Sequence, residues 1–280
     1  MRILPKGKIL TIGVPDKQRS AFRKWWCDDL DVVDIFRGSD YNHNHRKYIG
    51  RVGKNRTLPE KEEIMKQEDM SCIDCAVKNC SKMDKTYPDF CLTTHMDQKV
   101  LEEAMACYEQ EEVRRIAVAA AEVEYEHYCR YTRVEEIMAF AKKIGAHKLG
   151  IATCVGLLEE SRILARILRR HGFTVYGAAC KAGARRKTEI GIPEECCTIG
   201  PNMCNPVLQA KLLNRAHTDL NIVVGLCVGH DSLFYRYSEA PVTTAVTKDR
   251  VLGHNPVAAL YTAASYYKRL DIAGEETSDR

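Results

Sequence analysis

The sequence predicts an α/β protein with a doubly wound, mostly parallel sheet of about four strands, preceded by a cysteine-rich knuckle and a helical segment. Short apolar, β-branched runs alternate with helical patterns from residue 146 onward, as in parallel sheets with helical crossovers. Cysteines follow several of these runs, at the position where parallel sheets bind ligands. We expect residues 65–280 to form one unit with a knuckle (65–96), a helical segment (97–145) and an α/β domain (146–280).

The four strands are predicted from apolar runs bounded by turn residues, and they cover residues 149–153, 173–179, 220–226 and 242–247. An amphipathic pattern over Leu157–His171 predicts the helix that joins the first two strands. Asn205-Pro206 and Asn255-Pro256 each combine a good N-cap residue with a proline suited to the first helical position. They predict two more helices, the second of which runs towards Leu270.

The segment before the sheet reads as helical. Thr132-x-x-Glu135 has the pattern of a capping box that opens a helix, and Gly145 is expected to close that helix. Cys107 and Cys129 fall within helical patterns and are expected to be small buried residues.

Residues 1–64 differ from the rest of the chain, because they are rich in arginine and lysine and lack sustained periodicity. Lys61-Glu62-Glu63 would be encoded by a purine-rich tract, the form of a bacterial ribosome-binding site. We therefore expect residues 1–64 to be an atypical, non-native extension, with the natural start at Met65 or Met70.

The overall composition is that of an ordinary globular protein, with 45% hydrophobic and 29% charged residues. A net charge of +4 does not favour nucleic acid as a partner, since no basic run flanks the cysteines. No apolar run is long enough for a signal peptide or a membrane span. We expect a cytoplasmic protein without a membrane partner.

The 13 cysteines carry the functional prediction. Their number is odd and no export signal precedes them, and grouped thiols in a reducing compartment more often bind metal or take part in chemistry. A first group begins with Cys72-x-x-Cys75, a spacing that presents two thiolates to one ion, and Cys80 and Cys91 complete a four-thiolate knuckle. Four thiolates suit zinc or an iron–sulfur cluster. Buried structural thiols are the alternative.

A second group is predicted at the carboxyl edge of the sheet. Cys154, Cys180 and Cys227 each follow a strand, and Cys204 precedes a helix N-terminus, where backbone N–H groups stabilise a thiolate. These four thiols predict a second metal or cluster site, which could also be continuous with the first. The alternative is that each cysteine is a small buried residue at a strand end.

Candidate catalytic residues lie in loops at the same edge, and they are Cys227, His230, Asp231 and His254. In this alternative, Cys227 is a nucleophile with His230 or His254 as its base. A third interpretation makes the knuckle an interaction module. The sequence contains no dinucleotide fingerprint, P-loop, zincin motif or nucleophile elbow, so NAD(P) and NTP chemistry are disfavoured.

Longer strings of the sequence point to a family, and they include Cys72-Ile-Asp-Cys75, Gly150-Ile-Ala-Thr-Cys154-Val-Gly-Leu, Cys180-Lys-Ala-Gly, Cys204-Asn-Pro, Gly225-Leu-Cys-Val-Gly-His-Asp and Lys248-Asp-Arg-Val-Leu-Gly-His-Asn-Pro. With these strings the chain resembles the cysteine-rich prokaryotic proteins of domain-of-unknown-function family 1847, labelled predicted metal-binding proteins. The resemblance runs from about Met70 to about Leu270. It implies metal binding and a cytoplasmic location, and it implies no particular reaction. Cys196-Cys197 departs from the family pattern.

Together these observations predict a cytoplasmic metal-binding protein with two cysteine-rich sites, holding zinc or iron–sulfur, and with a redox or metal-handling role. The predicted metal ligands are Cys72, Cys75, Cys80, Cys91, Cys154, Cys180, Cys204 and Cys227.

Overall fold

A four-stranded parallel sheet organises the computed structural model, which describes residues 69–272. The strands are β1 (Lys148–Thr153), β2 (Thr174–Ala179), β3 (Leu220–Val224) and β4 (Val242–Val246). Their order in the sheet is β2-β1-β3-β4, and all three neighbouring pairs run parallel. The predicted α/β class and parallel sheet are confirmed.

The chain divides into two units, residues 1–74 and 75–280. The first is described only over residues 69–74, where Cys72–Asp74 form a turn of 3-10 helix. The carboxylate of Asp74 closes this turn by accepting hydrogen bonds from the backbone N–H and hydroxyl of Ser71, at 2.8 and 3.2 Å. The prediction for residues 1–64 lies outside the described residues.

Helices precede and connect the strands of the second unit. The α-helices of its described part are α1 (Gln98–Cys107), α2 (Glu111–His127), α3 (Arg133–Lys143), α4 (Leu158–Arg170), α5 (Pro206–Arg215), α6 (His230–Tyr237) and α7 (Val257–Tyr261). Turns of 3-10 helix cover Val155–Leu157, Lys187–Ile190, Glu194–Ile199 and Lys268–Leu270.

The helices cover both faces of the sheet. On one face, α2, α3 and α4 pack on Ile222 and Val224 of β3, with Leu168 of α4 fully buried. On the other face, α5 and α6 pack on Val223, and Phe234 of α6 is fully buried. Successive side chains of a strand point to opposite faces, so a strand covered on both sides is expected to be largely apolar. This explains the apolar run that predicted β3, in which Asn221 is the one polar residue.

The predicted caps of α3 and α5 are confirmed. Thr132 and Glu135 form a complete capping box at the start of α3. Asn205 caps α5, because its side-chain oxygen accepts the N–H of Leu208 at 2.9 Å, and Pro206 is the first helical residue.

The predicted last helix is wrong in its length and its cap. α7 ends at Tyr261, far short of Leu270, and the position before it is occupied by Pro256, with no side-chain capping bond. None of its residues is buried. Most helical stability in proteins comes from packing an apolar face, so a good capping sequence alone does not extend this helix.

The burial predicted for Cys107 and Cys129 is also wrong, since both are exposed. Cys107 lies on α1, which buries none of its residues. Cys129 lies after the end of α2 with a positive φ of 55°, in a turn rather than a helix.

Gly150 of β1 marks a close approach between two strands. A Cβ at this position would lie 2.0 Å from the side-chain oxygen of Asn221 on β3. Asn221 is fully buried and cannot easily move, because its oxygen accepts from the Thr218 hydroxyl at 2.7 Å and its amide donates to the Ser238 hydroxyl at 2.8 Å.

We therefore expect Gly150→Ala to lower the free energy of unfolding by about 1–3 kcal/mol, through overpacking against a fixed polar side chain. Gly177→Ala in β2 is the matched control, since the nearest atom to its Cβ would be 3.6 Å away, an ordinary contact. Urea denaturation of the two variants measures the difference. Equal losses in the two would contradict this account of Gly150.

Candidate thiol site at the carboxyl edge of the sheet

The predicted edge cysteines lie at a topological switch point. With strand order β2-β1-β3-β4, the chain leaves β1 towards one side of the sheet and later returns to build the other side from β3. Open parallel sheets bind ligands outside the carboxyl ends of the strands at such a point. Cys154 follows β1 directly, Cys180 follows β2 directly, and Cys227 follows β3 after a short turn.

Backbone hydrogen bonds extend the sheet into the cysteines. The N–H of Cys180 donates to the carbonyl of Thr153 at 2.8 Å, and the N–H of Cys154 donates to the carbonyl of Val224 at 3.1 Å. The carbonyl of Cys180 in turn accepts the N–H of Asn205 at 2.7 Å. This last bond ties the residue next to Cys204 to the end of β2, so the spacing of the thiol-bearing segments is set by main-chain contacts.

The side chain of Gln209 on α5 holds the strand ends at this edge together. Its side-chain amide donates to the carbonyls of Thr153 and Ala178, at 3.1 and 2.7 Å, and so joins the ends of β1 and β2. The side chain is completely buried, and within the described structure its oxygen has no hydrogen-bond partner. A buried acceptor without a hydrogen-bond partner lowers the free energy of unfolding by about 1–3 kcal/mol. A glutamine is therefore unfavourable at this position unless the two hydrogen bonds that its amide donates have a structural role.

The edge side chains form a continuous series of contacts. Cys180 is hydrogen-bonded to Cys204, and Cys204 is hydrogen-bonded to the ring of His230. The same ring contacts Cys227. The sulfur of Cys227 accepts a hydrogen bond from the Arg250 guanidinium at 3.0 Å.

Cys154 belongs to the same group. It is buried, and it interacts electrostatically with Cys180 and with Arg250. The next residue, Val155, donates its backbone N–H to the sulfur of Cys180 at 3.3 Å. The structure thus brings together all four cysteines that were predicted at this edge, together with His230.

The contacts give the thiols different protonation states. The hydrogen bond from Cys180, followed by that from His230, lowers the pKa of Cys204. The same Cys180–Cys204 bond, with burial, raises the pKa of Cys180. Hydrogen bonds to Cys204 and then to Cys227 raise the pKa of His230 against the effect of burial. These shifts favour a thiolate at Cys204 and a proton on both Cys180 and the ring of His230.

Positive charge surrounds these sulfurs. Lys181 contributes to the lowered pKa of Cys204, and its ammonium is held by the carbonyl of Asn202. The Arg250 charge lies within electrostatic reach of Cys154 and Cys204 as well as Cys227. At Cys204 the Lys181 charge favours the thiolate, which is the form that binds metals and attacks electrophiles.

The other two candidate catalytic residues make contacts elsewhere. The carboxylate of Asp231 accepts the N–H of Ser232 at 2.8 Å. The ring nitrogen Nδ1 of His254 accepts the N–H of Asp249 at 3.1 Å. Of the two bases predicted for Cys227, the structure therefore places His230 against that thiol and engages His254 with a loop backbone.

The knuckle cysteines belong to two different units. Cys72 is exposed in the first unit, whereas in the second Cys75 is half-buried, Cys80 exposed and Cys91 buried. Hydrogen bonds from Thr94, the side-chain bond first, lower the pKa of Cys91. The knuckle as a metal site stays a prediction.

Neither predicted site has the geometry of a finished metal centre. Among residues 69–272, no group of three or more His, Cys, Asp or Glu side chains is arranged to hold an ion. The edge thiols are in contact but hydrogen-bond to one another and to their neighbours, so ligating an ion would require their side chains to rotate. The donor set itself fits a thiolate-binding metal or cluster.

Sequence reasoning missed Gln209 and the contact of Cys204 with the ring of His230. A polar residue in the apolar stripe of α5, between Pro206 and Leu213, was the available signal for Gln209, since all three side chains are buried. No local pattern indicates that the N-cap segment of α5 delivers Cys204 to the ring of His230.

Comparisons with known proteins place the chain in a family. The family model described as Protein of unknown function (DUF1847) matches residues 91–245, which include the four edge cysteines and His230. Uncharacterized protein MJ0455 of Methanocaldococcus jannaschii is 42% identical over 206 residues, covering 74% of this chain and 100% of the relative. No helix in the described residues is long and apolar enough to cross a membrane.

Among solved structures, the crystal structure of Dph2 from Pyrococcus horikoshii with a 4Fe-4S cluster is similar at a TM-score of 0.28 and 20% identity. The match covers 50% of this chain and only 33% of the Dph2 chain, and similarity at this level has no bearing on the site. The family model spans more than half of the 280 residues, and the similarity to MJ0455 extends over that relative's full length. The chain therefore belongs to the DUF1847 family.

Proposed function

We propose that this protein binds a metal ion or an iron–sulfur cluster at the carboxyl edge of its sheet, through the thiols of Cys154, Cys180, Cys204 and Cys227. The observation that carries the proposal is that four thiols from four separate segments meet at one switch point. Four thiolates are a ligand set typical of zinc and of iron–sulfur clusters.

The surroundings of these sulfurs support a ligand role over simple burial. A cysteine that acts as a small hydrophobic residue needs only apolar neighbours. Here one sulfur accepts from a guanidinium, another from a backbone N–H, and two contact an imidazole. Donors of this kind orient metal-bound thiolates and offset their charge.

A bound cluster would supply electron transfer, whereas zinc would supply a structural tie or a Lewis acid. The chain's own contribution is to hold the thiols and supply positive charge. Arg250 donates to Cys227, and His230 stands between Cys204 and Cys227.

We further propose that Cys72, Cys75, Cys80 and Cys91 of the knuckle form a second metal site. We also propose the division of the chain into segments 65–96, 97–145 and 146–280, and a cytoplasmic location.

A second candidate function is a cysteine-nucleophile enzyme, favoured by the contact of Cys204 with His230. A nucleophilic thiol needs a lowered pKa and a base within reach, and Cys204 meets both conditions. The sequence pointed to Cys227 for this role, with His230 or His254 as base. In this alternative we assign the nucleophile to Cys204 instead, because Cys204 contacts His230, and we keep His230 as the base.

Metal analysis tests the leading proposal. Protein purified without oxygen is expected to contain zinc, or iron with acid-labile sulfide, and Cys204→Ser or Cys180→Ser is expected to remove the edge-bound share. Cys107→Ser is the matched control, because Cys107 is an exposed thiol on α1. Metal content that is the same in the control and in both edge variants would refute the edge site.

Gln209→Leu tests whether the buried amide positions the thiols. Losing both donated bonds should lower the free energy of unfolding by about 1–3 kcal/mol and should weaken metal retention against a chelator, since the ends of β1 and β2 are no longer joined. Gln98→Leu makes the same change at an exposed position. Metal retention equal to that of wild type in Gln209→Leu would show that the amide stabilises the core without positioning the thiols.

Alkylation with iodoacetamide tests the nucleophile. An ordinary thiol is alkylated roughly 100-fold faster at pH 8 than at pH 6, because its thiolate fraction rises with pH. The lowered pKa of Cys204 means that its thiolate is already formed at pH 6, so its rate in metal-free protein should change by less than about threefold. Peptide mass spectrometry compares Cys204 with Cys107 in one sample. Parallel pH profiles for the two would exclude the nucleophile.

The state of the isolated protein separates the two functions. If Cys204 reacts before any chelator is added, the enzyme is favoured. If all four edge thiols are protected until chelation, the metal site is favoured.

A further inference from the structure

A cavity of about 500 Å³ lies beside the thiol site, and Cys204 and His230 form part of its wall. Its size falls within the range of small-molecule sites. Its wall is built from the segment between β2 and α5 and from the first turns of α5 and α6. The cavity therefore lies beyond the carboxyl ends of the strands, where open parallel sheets bind their ligands.

Most of the remaining wall is apolar, and its apolar side chains are Ile190, Ile192, Met203, Pro206, Val207 and Leu233. Two of these are exposed, Ile190 to 62% and Leu233 to 41%. Apolar side chains left open to water around a concave site are typical of ligand-binding surfaces.

The charged groups in the wall are already paired with one another. The guanidinium of Arg185 forms an ion pair with Glu189, and the second carboxylate oxygen of Glu189 accepts the N–H of Arg186 at 2.9 Å. Outside the thiol site, the described wall therefore offers a charged ligand no unpaired charged side chain, whereas its apolar side chains suit an uncharged ligand.

We propose that this cavity binds a small, uncharged, mainly apolar molecule and presents one polar end of it to Cys204 and His230. The inference rests on the proposed function, because it identifies the class of substrate or effector that the thiol site receives. The apolar body of the ligand packs between Val207 of α5 and Leu233 of α6. Its polar end lies at the only part of the described cavity wall where a thiol and an imidazole meet.

Fluorine-19 NMR titration of the full chain, purified without oxygen, tests this with three probes of one shape. They are 4-fluorobenzyl alcohol, which is uncharged, 4-fluorobenzoate, which is anionic, and 4-fluorobenzylamine, which is cationic at neutral pH. We expect saturable binding of the alcohol, at least tenfold tighter than either charged probe. No saturable binding of the alcohol, or equal binding of a charged probe, would overturn the proposal.

Two variants fill the cavity from opposite elements. Val207→Trp on α5 and Leu233→Trp on α6 should each weaken binding of the alcohol at least tenfold. Val257→Trp on α7 is the matched control, since Val257 lies outside the cavity wall. Thermal unfolding identifies a variant that has lost its fold, and the other variant then decides. Wild-type affinity in a folded cavity-filling variant contradicts the inference.

Metal content measured on the same samples separates this inference from the proposed function. Metal retained without binding of the alcohol refutes the cavity site alone. Binding of the alcohol that is lost in the cavity-filling variants, in a chain that holds no edge metal, supports the cavity site and refutes the metal function.

Discussion

The thiol site depends on the parallel pairing of β1 with both of its neighbours. The register places Thr153 opposite Ala179 of β2 and opposite Val224 of β3, so all three strands end together. The N–H groups of Cys154 and Cys180 continue that pairing by one residue. Because parallel strands deliver their carboxyl ends to one edge, three distant parts of the sequence bring cysteines to one place without a dedicated loop.

A balance of charge makes this grouping tolerable. Four thiolates in one place would repel each other, and burial would add a desolvation cost. In the metal-free protein the cost is avoided in two ways, since the pKa of Cys180 is raised so that it keeps its proton and the Cys204 thiolate faces His230 and Lys181. A metal ion would neutralise the thiolates in place of these two effects, and its binding would release the protons that the thiols hold. The same contacts therefore limit charge repulsion among thiols that would serve as metal donors.

The parts of this structure that could be predicted are those that depend on local sequence patterns. β3 is apolar at every position except Asn221 because helices cover both of its faces, and Asn205-Pro206 starts α5 because side chain and backbone suit a cap. The same capping pattern at Asn255-Pro256 led to a wrong prediction of helix length. Whether a helix continues depends on the residues that it packs against, and a capping pattern carries no information about them. The burial predicted for Cys107 was wrong for the same reason, since α1 has helical spacing but buries none of its residues.

Side-chain partners could be predicted only where topology alone decides them. The sheet edge gathers Cys154, Cys180 and Cys227 once the strands are known to be parallel. The contact of Cys204 with His230 depends on the path of the long connection from β2 to α5 and on the rotation of α5 about its axis. Neither can be predicted from the periodicity of the sequence. Gln209 depends on that same rotation, which points its amide at the ends of two strands.

X-ray absorption at the metal edge measures the central claim most directly, because it counts sulfur ligands. The sample is the chain carrying Cys72→Ser, Cys75→Ser, Cys80→Ser and Cys91→Ser, so that only the edge thiols remain as a grouped set. The account predicts a bound metal with four sulfur ligands at about 2.3 Å. A metal bound only by nitrogen and oxygen, or a chain that retains no metal, would contradict it.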